Sequence, residues 1–111
     1  MTKFAKSTKA DIDRRAEEQT ILRQITEELI EASNNVSPDF DYYAALHRNC
    51  TVWTAMRRDV ASKANRLPQD LRDMIDQLGA WVEEQTAKVL RGEARINPLI
   101  IVNRNVIDGL T

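Results

Sequence analysis

The chain has 111 residues, 42% of them hydrophobic and 30% charged, with a formal net charge of −1. That balance supports one hydrophobic core, excludes both a disordered tail and a membrane protein, and leaves no global field to draw in nucleic acid or anionic lipid. Three glycines and three prolines are too few for the tight turns of a small β-sandwich or barrel, so an all-α fold is expected, as a single domain over residues 1–111 with residues 1–8 a flexible N-terminus.

From Lys9 to Asn34, apolar residues at Ile12, Ala16, Ile21, Leu22, Ile25, Leu29 and Ile30 recur at three-and-four spacing, which predicts an amphipathic helix closed by Asn34-Asn35. Ser37-Pro38-Asp39 predicts the start of a second: the hydroxyl caps, the proline takes the first helical position, and the carboxylate faces the positive end of the dipole. Its stripe is Phe40, Tyr43, Leu46, Cys50, Trp53, Met56 and Val60, with Arg48, Asn49, Arg57 and Arg58 off the stripe and an end near Ala61 or Ser62. A polar linker through Arg66 leads to Leu67-Pro68, where the restriction that proline places on its predecessor predicts a boundary and a third helix opens. The third stripe is Leu71, Met74, Ile75, Leu78, Trp81, Val82, Gln85 and Val89, closed at Arg91-Gly92 by a glycine able to take the left-handed cap. Gly79 interrupts this helix at about 1 kcal/mol against alanine, which predicts that a neighbouring helix or a tryptophan packs against it. Asn97-Pro98 repeats the cap-then-proline signal and starts a short helix from Leu99 to about Asp108, closed by Gly109.

Short connections favour antiparallel neighbours. The expected architecture is a small antiparallel helical bundle of three long helices plus a short C-terminal helix, either a three-helix core with an appended helix or a small four-helix bundle. Trp53, Leu71, Gly79, Trp81 and Val82 are its expected structural core.

Catalytic signals are sparse. His47 and Cys50 share one face of the second helix, a spacing compatible with a thiolate–imidazole pair, but no third group orients them and a lone cysteine on an apolar stripe reads as a small core residue. The residue three before His47 is Ala44 and no second histidine exists, so the Glu-x-x-His pairs of a helical di-metal site are absent. Asp11-x-Asp13 and Asp39-x-Asp41 do not continue into a calcium loop, and glycine-rich phosphate loops are missing. The expectation is a protein that is not an enzyme and uses no metal or cofactor. With no apolar stretch long enough for a signal peptide or a membrane span, the expected compartment is the cytoplasm.

Two features point to partners. Arg57, Arg58, Lys63 and Arg66, with Arg72 nearby, outline a local basic patch, readable either as cations at a helix C-terminus or as an RNA contact. The segment Leu99-Ile100-Ile101-Val102-Asn103-Arg104-Asn105-Val106-Ile107 is apolar around most of its first turn, more than one domain face easily covers. It reads equally as a core or dimer contact and as a partner site, where each exposed side chain contributes roughly 1.5–3 kcal/mol on burial.

The second half of the chain resembles the FlaF family of flagellar biosynthesis regulators. The likeness runs in order through Trp53, Asp59-Val60-Ala61, Asn65-x-Leu67-Pro68, Leu71-Arg72, Gly79-x-Trp81-Val82, Gly92, Leu99-Ile100, Asn103-Arg104, Ile107 and Gly109-Leu110. Members often carry tyrosines near the start, where this chain has Phe4 and a basic stretch. The resemblance implies a cytoplasmic protein that binds flagellin as a secretion chaperone, supports its synthesis and export, and works opposite the FlbT repressor of flagellin translation. On that reading the partner-binding residues are Leu99, Ile100, Asn103, Arg104 and Ile107, used in helix-in-groove fashion. The alternative is a post-transcriptional regulator that contacts flagellin mRNA or the translation machinery; a third is a helical protein whose C-terminal apolar turn is buried in a homodimer.

Overall fold

The computed structural model describes residues 9–35 and 38–110, with the side chains of 16–35 and 38–109. They form four helices, α1 (Lys9–Ser33), α2 (Phe40–Ala61), α3 (Gln69–Leu90) and α4 (Asn97–Leu110), and no strand is present among the described residues. The expected all-α bundle is therefore the observed one. The segment 1–8 and Ser37, to which a flexible terminus and a cap were assigned, lie outside the described residues.

Local chemistry sets the helix ends, with three departures from expectation. Asp39, not the serine-proline pair before it, is the N-cap of α2, its carboxylate accepting a hydrogen bond from Tyr42 N at 2.9 Å. That interaction contributes about 1 kcal/mol to the start of the helix. Gly92 does terminate α3: at φ 74° it lets its own N–H reach Val89 O (3.0 Å) and the Glu93 N–H reach Lys88 O (2.8 Å), the paired closure that a left-handed glycine permits. Gly109 does not close α4. It lies inside that helix without a positive φ, and α4 opens at Asn97, earlier than the apolar pattern indicated.

The turn between α2 and α3 is tied by the residues of the Asn65-to-Arg72 motif. Asn65 Nδ2 donates to Asp59 Oδ2 (3.1 Å) while its Oδ1 accepts from Leu67 N (3.0 Å), and Arg72 donates to the carbonyls of Val60 (2.8 Å) and Ser62 (3.3 Å). Further along, Arg57 meets Asp76 and Glu83, so later residues of α3 face earlier residues of α2 and the two run antiparallel.

The core lies where α1, α2, α3 and α4 converge, on Leu22, Leu29, Leu46, Trp53, Val82 and Leu99. α2 is flanked by α1 and α3, while α4 packs chiefly on α1 and only thinly on α3. The first residues of α2 do not join this core: Phe40 is 84% exposed, and Tyr43, on the same expected stripe, is also exposed. Of the three aromatic residues Phe40, Tyr42 and Tyr43, Tyr42 packs against the core, its ring edge-on to Tyr43 at 5.3 Å, and burial followed by the neighbouring Tyr43 raises its pKa.

Gly79 answers the expectation of a close neighbour. A Cβ there would collide with the Cγ and Cδ of Arg57, so the aliphatic stem of that arginine lies across the bare α3 backbone. Its guanidinium continues to Asp76 (3.1 Å) and Glu83 (3.1 Å) on either side of the glycine. The hydrogen bond to Asp76 is the largest cause holding the guanidinium's pKa above its usual value. The neighbour is an arginine stem rather than a tryptophan ring.

Candidate helix-binding surface

The five residues assigned to partner binding do not form one surface. Leu99, Ile100, Asn103 and Ile107 are buried in the protein's own core, and only Arg104 is exposed. The expectation that this helix leaves its apolar turn open is corrected for those four: α1 and its neighbours cover the stripe. Among the described side chains of α4, the exposed large apolar residue is Ile101, 57% accessible.

What α4 buries is partly polar. Trp53 Nε1 donates to Asn103 Oδ1 at 2.8 Å, and Asn103 Nδ2 donates to Asn49 Oδ1 (2.8 Å) and to Thr26 Oγ1 (3.1 Å), which donates onward to Leu22 O (2.6 Å). An indole N–H can only donate, so it fixes the orientation of the Asn103 carboxamide; that in turn turns the Asn49 oxygen inward. Asn49 Nδ2 is left buried with no partner among the described residues, a cost of about 1–3 kcal/mol. Asn49 was expected off the buried stripe and is 0% exposed. Polarity alone had placed it outside, whereas Asn103 of α4 meets it inside the bundle.

Two cations of the basic patch are spent on structure. Arg57 is engaged by Asp76 and Glu83, and Arg72 by the carbonyls that end α2. Both cations therefore serve the α2–α3 seam. His47 and Cys50 share a shallow, open depression on the outer side of α2 with Thr51, Thr54, Ala55 and Arg58. Burial, and then the carboxylate of Glu83, push the Cys50 thiol up, away from the thiolate that nucleophilic chemistry needs. No group of three His, Cys, Asp or Glu residues among the described ones is arranged to hold a metal ion.

An exposed apolar surface does exist, on α3. Ile75, Gly79, Val82, Thr86 and Val89 are its buried face, and Arg57 marks the flank turned toward α2. On the opposite flank run Leu71, Met74, Leu78 and Trp81 at helical spacing; Met74 is 40% exposed and the other three are half-buried at the edge of the core. Gln85 continues that flank and donates to Arg95 O (3.2 Å), so its upper end meets the loop leading into α4. α4 packs only thinly on α3, and Met74 is the residue of this stripe that is exposed. Of the expected core residues, Trp53, Gly79 and Val82 are buried, while Leu71 and Trp81 belong to this rim. The sequence signal was present: the third helix carries more apolar positions than one buried face can hold.

Among comparisons with known proteins, the family described as flagellar protein FlaF matches residues 1–110. Searches of curated proteins and of solved structures returned no match. No helix among the described residues is long and apolar enough to cross a membrane.

Proposed function

The chain belongs to the flagellar protein FlaF family, and from that premise we propose that it is a non-catalytic, cytoplasmic secretion chaperone that binds flagellin and so supports flagellin synthesis and export. The observation that carries this reading is the stripe of Leu71, Met74, Leu78 and Trp81 on α3, left partly open to solvent. Its spacing suits an amphipathic helix laid along it, burying apolar side chains of both partners. The terminal segments of flagellin are such helices, prone to assemble when uncovered. Burial of Met74 and its neighbours by a client contributes affinity at roughly 25 cal/mol per Å² of apolar surface, less the cost of ordering the client.

On this reading the partner surface lies on α3 rather than on the buried face of α4. Direct action on flagellin mRNA is the weaker alternative, because Arg57 and Arg72 are committed to internal contacts. The test is co-purification of flagellin with wild type, with Met74→Asp and with Ile101→Asp as an exposed control, at low and at high salt. Met74→Asp is expected to lose most of the flagellin while Ile101→Asp retains it, with little salt dependence. Equal recovery by both variants removes the α3 flank from the site, and capture that collapses as salt rises favours a phosphate-contacting reading.

A further inference from the structure

An amide stands in the middle of the buried face of α4. Asn103 is 0% exposed, with Leu99 and Ile100 one turn before it and Val106 and Ile107 one turn after it, all buried. The aliphatic members of this stripe repeat along the helix, and burial of aliphatic surface has no direction. Displaced along its axis by one turn, about 5.4 Å, the helix would bring Leu99 or Ile100 to the place of Asn103 and still bury most of its apolar side chains. α3, on which α4 packs thinly, adds little to fix where the helix stops.

The hydrogen bonds of Asn103 do have direction. Its Oδ1 accepts from Trp53 Nε1 (2.8 Å), and its Nδ2 donates both to Asn49 Oδ1 (2.8 Å) and to Thr26 Oγ1 (3.1 Å). Thr26 belongs to α1, Asn49 and Trp53 to α2, so one carboxamide is met from two helices and its two N–H hydrogens and its oxygen are all engaged. A shift of one turn would set an aliphatic side chain against the indole N–H and the Asn49 oxygen, and would move the Asn103 amide among aliphatic neighbours. Each buried group left unpaired in this way costs more than the bond itself contributes. Asn49 Nδ2, buried with no partner among the described residues, shows that the set is not arranged for the greatest stability.

We infer that the Trp53–Asn103–Asn49–Thr26 cluster is a register lock: it selects the axial position at which α4 docks against α1 and α2, a choice that the aliphatic stripe leaves open. A single buried asparagine fixes the register of packed helices in the same manner, at some expense in stability. The inference concerns the docking of α4 and stands whether or not flagellin is bound.

The test replaces the whole directional set, so that no partner is left unpaired. In Asn49→Ala/Trp53→Phe/Asn103→Leu the gains and losses of volume largely offset, and the Thr26 hydroxyl keeps its bond to Leu22 O. Nuclear magnetic resonance on the full chain reads the register through contacts of the Thr26 methyl group. In the wild type that methyl is expected to meet residue 103 alone. In the variant, unfolding is expected to stay cooperative and amide protection in α2 to stay within about threefold of wild type, while the α4 amide signals double or broaden and the Thr26 contacts divide between residue 103 and residues one turn away. Asn49→Ala/Asn103→Leu, which leaves the indole in place, is expected to behave alike and keeps the test open should the threefold variant unfold. One sharp set of α4 signals, with Thr26 still facing residue 103 alone, overturns the lock. Loss of every contact between Thr26 and α4 overturns it as well, because the cluster would then hold the helix on rather than choose its position.

Discussion

The joint beneath α4 and the outer flank of α3 invert each other. At the joint, Thr26, Asn49 and Asn103 are sealed among leucines and isoleucines, while on the flank Leu71, Met74, Leu78 and Trp81 meet solvent in part. The inversion follows from how the short fourth helix packs: leaning on α1 and only thinly on α3, it buries polar groups of α1 and α2, while the Met74 flank of α3 keeps partial access to water. Burial here is decided by which helix covers a position, and residue type is then accommodated, by hydrogen bonding inside and by partial exposure outside.

The largest expected effect comes from the joint. Trp53→Ala removes the largest fully buried side chain and strips Asn103 Oδ1 of its donor. A loss of about 3–5 kcal/mol is expected in chemical denaturation. A cost under about 1 kcal/mol would mean that the joint is not formed in solution, and the comparison would break.

The seam on the other flank of α3 gives a sharper, smaller test with a change of sign. Gly79→Ala gains helix propensity but displaces the Arg57 stem and with it the contacts to Asp76 and Glu83. It is expected to be neutral or destabilising by roughly 1 kcal/mol in the wild-type background, whereas in an Arg57→Ala background the same change is expected to stabilise by about 1 kcal/mol. A double-mutant cycle measured by thermal unfolding reads the difference, and additivity within experimental scatter would show that the stem does not lie across the glycine.

The smallest stability effect belongs to the exposed stripe. Met74→Ser is expected to change unfolding free energy by no more than about 0.5 kcal/mol, as a surface substitution does. A cost near that of a buried leucine would place a cover over this flank, whether α4 or a second copy, and would end the contrast with the joint.

The helices themselves were legible because their evidence is local. Three-and-four spacing, Pro68 before α3 and Gly92 after it need only neighbouring residues to act, and α1, α2 and α3 fall within a few residues of expectation. The cap of α2 was misassigned by two residues since Ser37 and Asp39 carry the same capping chemistry. Gly79 announced a close contact without saying with what, because a glycine records the space it frees and not the side chain that fills it.

The partner surface was not legible in the same way. The apolar turn of α4 drew attention as the densest run of aliphatic residues, yet Leu99, Ile100 and Ile107 are buried by α1 and its neighbours. Leu71 and Trp81 were expected in the core and Met74 on the same apolar stripe, since a periodic pattern cannot tell a covered face from an uncovered one. Sequence by itself determined the number, approximate limits and amphipathic character of the helices, because those depend on interactions a few residues apart. Tertiary structure alone decided that Asn103 meets Trp53 and Asn49 inside, that Arg57 lies over Gly79, and that Met74 on α3 stays partly open. Each of those outcomes depends on the angle and position at which distant helices dock, which no stretch of neighbouring residues encodes.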